Sequence, residues 1–272
     1  MDTDHDGSRY RAPALDKGLD ILELLASSDE SFSQAEIAKS LKRTPNEIYR
    51  MLDRLVHRGY VVRSADDRYE LSLKLFALSH QHAPMRRLVA QAIPVMRRFS
   101  RAGGQSCHLA VYDRGGVIIV AQTDSPFYWG LSIRVGSRIG LYNTGSGHVL
   151  LAFASPRERE FMRSEYDTAH DDLAPRGLDG RLSAIKRQGH EAMPSEQTQG
   201  VYNLSVPVLG PDGSAIAALT CPFVKGLAKA ERMSMAKAVT LLDRAGHELS
   251  ILAGGGGRAT VAKRKRRPAR TA

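Results

Sequence analysis

Two helix-start signatures stand almost back to back, Ser33-Gln34-Ala35-Glu36 and Thr44-Pro45-Asn46-Glu47. In each, a hydroxyl residue and a glutamate three positions later satisfy one another's free backbone amides, and proline at the first helical position loses no hydrogen bond. The first of these helices must therefore be short, ending near Leu41, with a turn through Lys42 and Arg43 into the second. The second runs to about Arg58, with Ile48, Leu52 and Leu55 inward and Gly59 just past its end. Upstream, Leu15, Leu19, Leu22 and Leu25 recur at helical spacing from about Ala14 to Ala26 and read as a core-facing stripe. Downstream, Tyr60-Val61-Val62 and Tyr69-Glu70-Leu71 flank the polar turn Ser64-Ala65-Asp66-Asp67, a hairpin signal. Three helices, a tight turn between the last two, and a hairpin are the order of a winged helix-turn-helix.

Charge supports this only when it is located. Of the net +10, +7 lies in the tail from Arg258 to Arg270, whereas residues 1–80 carry 12 basic and 14 acidic side chains. Within them, residues 39–68 hold eight basic and four acidic residues, and phosphate contact needs charge on one face only. The outward positions of the second capped helix include Asn46, Tyr49, Arg50, Asp53 and Arg54. Asn46 and Arg50 suit base edges in the major groove, asparagine for adenine and arginine for guanine. Arg43, Thr44, Arg54, Arg63 and Arg68 suit phosphate, while a winged helix used for protein contacts would carry the same solvated residues.

The remainder mixes strands and helices. Pro84 and Pro94 interrupt a helical stretch from Ser79 to Ser100, which suits a kinked linker. Ser106 to Tyr112 and Val117 to Gln122 flank the hairpin turn Asp113-Arg114-Gly115-Gly116, and Val201 to Leu209 pairs with Ser214 to Phe223 about Gly210-Pro211-Asp212-Gly213. Ser155-Pro156-Arg157-Glu158 opens one helix, Gly189 closes another over Leu178, Leu182 and Ile185, and a last helix runs from about Lys229 to Leu252. This pattern predicts an α+β domain, an antiparallel sheet covered by helices. The turn Asn143-Thr144-Gly145-Ser146-Gly147-His148 leads straight into the apolar Val149 to Phe153. Its glycines serve either close strand-to-helix packing or, with the exposed amides of a helix start, an anion such as a carboxylate.

Other signals narrow the function. With 42% hydrophobic and 25% charged residues, the chain reads as folded. No apolar run approaches the length of about 20 residues that spans a bilayer. The opening residues lack a secretory core, so a cytoplasmic location is expected. Cys107 and Cys221 show neither disulfide nor zinc spacing, and no metal or cofactor is expected, His170-Asp171-Asp172 included. Gly145-Ser146-Gly147 is not the G-x-S-x-G elbow of a hydrolase, and no base is positioned for Ser146. His108 faces a pocket, a partner or the packed interior, packing being the commoner role. The single tryptophan, Trp129, is read as packing. Gly254 to Gly257 and the basic stretch after it read as a disordered tail.

The sequence resembles the IclR family of bacterial regulators in A-L-D-K-G-L-D-I-L-E-L-L (14–25), A-E-I-A-K-S-L (35–41), N-E-I-Y-R-M-L-D-R-L-V-H-R-G-Y (46–60), T-G-S-G-H-V-L-L-A-F (144–153) and Q-G-V-Y-N-L-S-V-P-V (199–208). The resemblance implies a winged-helix DNA-binding domain over 10–76, a linker helix over 77–100, a GAF-like effector domain over 101–253 and a tail over 254–272. It also implies a double-stranded DNA operator, a small organic acid effector, and homodimers that can pair into homotetramers. The family's carboxylate-binding amides fall on Gly145 and Ser146, and its other pocket positions on Tyr128, Leu131, Met193, Asn203, Thr220 and Pro222. Met193, Asn203 and Pro222 replace an aspartate, a cysteine and a serine of members that bind very small acids. Fewer polar anchors, together with Tyr128, imply a larger, partly apolar acid, aromatic rings included.

Overall fold

The computed structural model describes residues 12–81, 83–170, 174–224 and 233–255, and the chain divides into two compact units after Arg86. In the first unit, α1 (Pro13–Ala26), α2 (Gln34–Ser40) and α3 (Pro45–His57) precede a hairpin of β2 (Val61–Arg63) and β3 (Arg68–Leu71), and α4 (Lys74–Gln81) follows. A two-residue strand, β1 (Phe32–Ser33), pairs with β3 to give the sheet order β1-β3-β2. So short a strand leaves no alternation in the sequence, and it merges into the cap of α2. Both expected boxes form: the Ser33 amide donates to Glu36 Oε2 at 2.7 Å, and the Thr44 amide to Glu47 Oε2 at 3.0 Å. Gly59 ends α3 at a positive φ of 72°, which only glycine adopts without strain.

The core joins Ile21 and Leu25 of α1 to Ile37, Ile48, Leu52, Val61 and Tyr69. The stripe expected on α1 is half right. Leu22 and Leu25 pack inward, but Leu15 and Leu19 are 61% and 47% exposed. At about 100° per residue, Leu19 points roughly 160° away from Ile21, and it is Ile21 that the core takes.

The second unit is a six-stranded antiparallel sheet in the order β6-β5-β4-β9-β8-β7. Its strands are β4 (Cys107–Tyr112), β5 (Val117–Thr123), β6 (Arg138–Ile139), β7 (Glu191–Pro194), β8 (Val201–Leu209) and β9 (Ala215–Val224). Helices α6 (Gly145–Phe153), α7 (Pro156–His170) and α8 (Leu178–Gln188) share one core with the face that carries Ala110, Ile119 and Ala218. The opposite face takes α5 (Ala83–Gly103), where the Cys107 thiol meets the Met96 carbonyl, and α9 (Met235–Leu252), which packs along β8 and β9. The expected hairpins form at 113–116 and 210–213, and Gly189 caps α8 in the left-handed region.

Three expectations shift. The stretch read as a linker is two helices, α4 and α5, and α5 runs unbroken through Pro94 while burying Leu88, Val95, Met96 and Phe99 in the second unit. The last helix begins at Met235, capped by the Ser234 hydroxyl, rather than near Lys229, which lies outside the described residues. The helix expected from Val149 begins at Gly145. The loop reading of His170-Asp171-Asp172 and the tail from Gly256 onward also lie outside the described residues, apart from His170, which ends α7.

Candidate DNA-reading face and effector site

The two clusters of candidate residues fall in separate units. On α3 the start of the helix is locked from below. Glu47 accepts from Lys17 of α1 at 2.6 Å and from the Thr44 amide and hydroxyl at 3.0 and 2.9 Å. Those bonds, Lys17 first, hold its carboxyl down at about 2. Above that anchor Asn46, Tyr49, Arg50 and Arg54 are exposed. The side chains of Asn46, Arg50 and Arg54 have no hydrogen-bond or ion-pair partner among the described residues. The flanking arginines differ among themselves. Arg43 stands 4.0 Å from Asp20, and Arg63 pairs with Asp67 at 2.9 Å while lying over the Tyr69 ring. Arg68 is tied into the fold: its guanidinium donates to the Ser31 carbonyl and hydroxyl and to Glu36 Oε2. Its fork holds the wing against the start of α2, which leaves less of it for a phosphate.

In the second unit, α6 is buried over its whole length. The Thr144 hydroxyl accepts from the Gly147 amide at 3.1 Å and donates to the Gly140 carbonyl at 2.7 Å. The amides of Gly145 and Ser146 have no acceptor among the described residues, so two donors and the positive end of a helix dipole stand together at a buried point. Both glycines also serve packing. A Cβ on Gly147 would lie 2.1 Å from the Leu141 carbonyl oxygen, and one on Gly145 would lie 2.6 Å from Ser205 Oγ.

Beneath this helix start, strand register sets a row of polar side chains across the sheet. Glu191 stands opposite Ser205, Ser205 opposite Thr220, Thr220 opposite His108, and His108 opposite Gln122. Thr220 Oγ1 donates to Ser205 Oγ at 2.8 Å, and Ser146 Oγ lies 2.8 Å from Thr220 Oγ1 and 3.4 Å from His108 Nε2. His108 is 2% exposed, and burial pushes its imidazole down to about 4. At the far end, Glu191 Oε2 meets His148 Nδ1 at 3.2 Å and Arg181 Nε at 3.0 Å, and His148 Nε2 donates to the Tyr142 carbonyl. Burial alone would raise the Glu191 carboxyl, but the His148 hydrogen bond and the Arg181 charge outweigh it and hold it below the usual range.

Of the eight expected effector residues, six gather here. Gly145, Ser146 and Thr220 form the centre, and Met193, Asn203 and Pro222 form the next cross-strand row. Leu131 is half-buried in the loop after β5, and Tyr128 is 95% exposed and does not reach the cluster. Trp129, read as packing, is more than half exposed. His108, Gln122, Ser205 and Glu191 were missed as a set. Each is an isolated polar residue in a strand, and only the register of five strands brings them together. The pair Ser146 and His108 also supplies the neighbour that the sequence did not give Ser146. That base is held at about 4, and among the described residues nothing on its Nδ1 orients it as a nucleophilic serine requires.

Residues 14–65 match the IclR helix-turn-helix domain, and residues 80–251 match the C-terminal domain of the bacterial transcriptional regulator IclR. The chain is thus a DNA-binding transcription regulator that responds to a ligand, a helix-turn-helix unit joined to an antiparallel sheet domain with covering helices. It belongs to the IclR family. It is 28% identical to the HTH-type transcriptional regulator KdgR of Escherichia coli over 86% of this chain and 90% of that protein. It is 31% identical to BhcR of Paracoccus denitrificans over 76% of each. The fold is shared with the Thermotoga maritima IclR (TM-score 0.68, 22% identity, 88% of this chain and 98% of that one). It is shared as well with an IclR homolog of Microbacterium hydrocarbonoxydans complexed with 4-hydroxybenzoate (TM-score 0.73, 22% identity, again 88% and 98%).

Proposed function

We propose that the regulator binds the carboxylate of a small organic acid on the amides of Gly145 and Ser146, and that this binding changes how its winged helix holds an operator. The observation that carries the reading is the pair of unaccepted amides at the first turn of a fully buried helix, beside hydroxyls of Ser146, Thr220 and Ser205. An anion suits that point and a cation does not. Met193, Asn203 and Pro222 line up across β7, β8 and β9 with a single amide among them, which favours a partly apolar acid. The homolog complexed with 4-hydroxybenzoate makes an aromatic acid a natural first probe.

On the DNA side, Asn46 and Arg50 read base edges, and Arg43, Thr44, Tyr49, Arg54 and Arg63 position the helix on the backbone. Arg68 contributes mainly by bracing the wing. Two winged helices of a homodimer take successive half-sites, homodimers can pair into tetramers, and the protein works in the cytoplasm without catalysing a reaction. Domain limits of 10–76 and 101–253, joined by 77–100, carry this division of labour, with α5 also packing into the effector unit. An electrophoretic shift with the DNA upstream of the protein's own gene, titrated with carboxylic acids, tests it. Retention at submicromolar protein and a changed midpoint with an acid, but not with its primary amide, are expected. Equal response to acid and amide would refute the anion site.

A further inference from the structure

We propose that the effector carries a hydroxyl group beyond its carboxylate, and that His108 and Gln122 read that hydroxyl as hydrogen-bond acceptors. The inference rests on the carboxylate reading above and extends it. Each hydroxyl in the buried row has one hydrogen to give. Thr220 spends its hydrogen on Ser205, so Ser146 must donate to Thr220 across their 2.8 Å contact. Ser146 then offers His108 only a lone pair, and the imidazole carries its hydrogen on Nε2, facing Ser146 at 3.4 Å. Nδ1 is left as a bare acceptor, buried and without a partner among the described residues. Gln122 repeats the pattern. Its amide nitrogen donates to the Thr123 carbonyl and to Asp124, which fixes the orientation of the amide and leaves Oε1 a buried acceptor with no donor among the described residues.

The row is therefore polarised. Its donor end, the amides of Gly145 and Ser146 with the unused Ser205 hydroxyl hydrogen, lies where an anion is held. Its acceptor end lies on β4 and β5, one and two strands beyond Thr220 on β9. At roughly 4.8 Å per strand, the separation is about 5–10 Å. A hydroxy acid of moderate size spans that distance with its carboxylate on the donors and its O–H on the acceptors. An oxo acid brings a third acceptor to two acceptors. A second carboxylate does the same with a charge, and no lysine or arginine belongs to the stretch from Ser205 to Gln122. Leaving a buried acceptor unpaired, or burying an unpaired charge, is the penalty that makes such a site selective.

Calorimetric titration of the full-length protein with matched trios tests this: 4-hydroxybenzoate, benzoate and 4-methoxybenzoate, and 4-hydroxybutyrate, butyrate and 4-oxobutyrate. In at least one trio the hydroxy acid binds tenfold or more tighter than both partners, and terephthalate binds no better than benzoate. His108→Leu and Gln122→Leu each bring the hydroxy acid to within about threefold of its deoxy partner, while binding of the deoxy acid persists. Should His108→Leu fail to fold, Gln122→Leu decides the matter. Acids that bind where their primary amides do not, yet show no preference for the hydroxyl, would overturn this inference and leave the carboxylate reading intact. If acids and amides bind alike, or none binds, both fall.

Discussion

His108→Gln is expected to flatten the acid side of the stability profile. In the folded state the imidazole is held at about 4 by burial, against an ordinary value of 6.5. The unfolded chain therefore takes up this proton first as pH falls. Stability lost to His108 is nil above 6.5, accumulates between 6.5 and 4, and stays constant below 4. With a tenfold change in proton affinity worth about 1.4 kcal/mol, lowering pH from 7.5 to 4.5 costs roughly 2.5 kcal/mol through this group alone. Against a total of about 5–15 kcal/mol, that loss is readily measured. Urea unfolding at half-unit steps from pH 7.5 to 4.5, followed by circular dichroism and by Trp129 fluorescence for the second unit, gives the slope. Stopping at 4.5 keeps the scan above most of the window, from 4.5 down to about 2, over which Glu47 gives up its own contribution. Subtracting the variant's curve from the wild type's cancels the other histidines. Parallel curves would mean that His108 is not held neutral, and the donor order inferred for its row would fail with it.

The two glycines of α6 should respond unequally to alanine. Gly147→Ala drives a methyl into the Leu141 backbone oxygen and should cost about 3 kcal/mol or more in thermal melts. Gly145→Ala meets the movable Ser205 hydroxyl and should cost about 1–2 kcal/mol. Glu191→Gln should destabilise the second unit above the ordinary carboxylate range, because its lowered pKa supplies stability that is present there and lost as pH falls. Melts of wild type and variant that converge toward acid pH would bear this out. Arg50→Ala should weaken operator binding by about 10- to 100-fold and relax sequence preference, whereas Arg43→Ala should weaken specific and nonspecific DNA alike and reduce the salt slope by about one. Both are read by fluorescence anisotropy, and unchanged discrimination in Arg50→Ala would contradict the base-reading assignment.

Local chemistry was legible from one dimension because it acts over a few residues. The caps at Ser33, Thr44 and Ser155, the left-handed glycines after α3 and α8, and the hairpin turns all follow from neighbours in the chain. They determine the helix-turn-helix order and the α+β class. The sequence could not choose between packing and anion binding for Gly145 and Gly147, and the structure gives both glycines a packing role. Nor could it say that Leu19 turns away from the core while Ile21 enters it, or that Tyr128 stands in solvent. Side chains on a strand alternate faces, and a single strand does not say which face is covered. Only the pairing of β7, β8, β9, β4 and β5 sets Glu191, Ser205, Thr220, His108 and Gln122 in one row under α6. The sequence by itself determined the elements and the family to which they belong. The tertiary structure decided which distant polar groups meet, because register across five strands is fixed by packing of the whole sheet rather than by any segment of it.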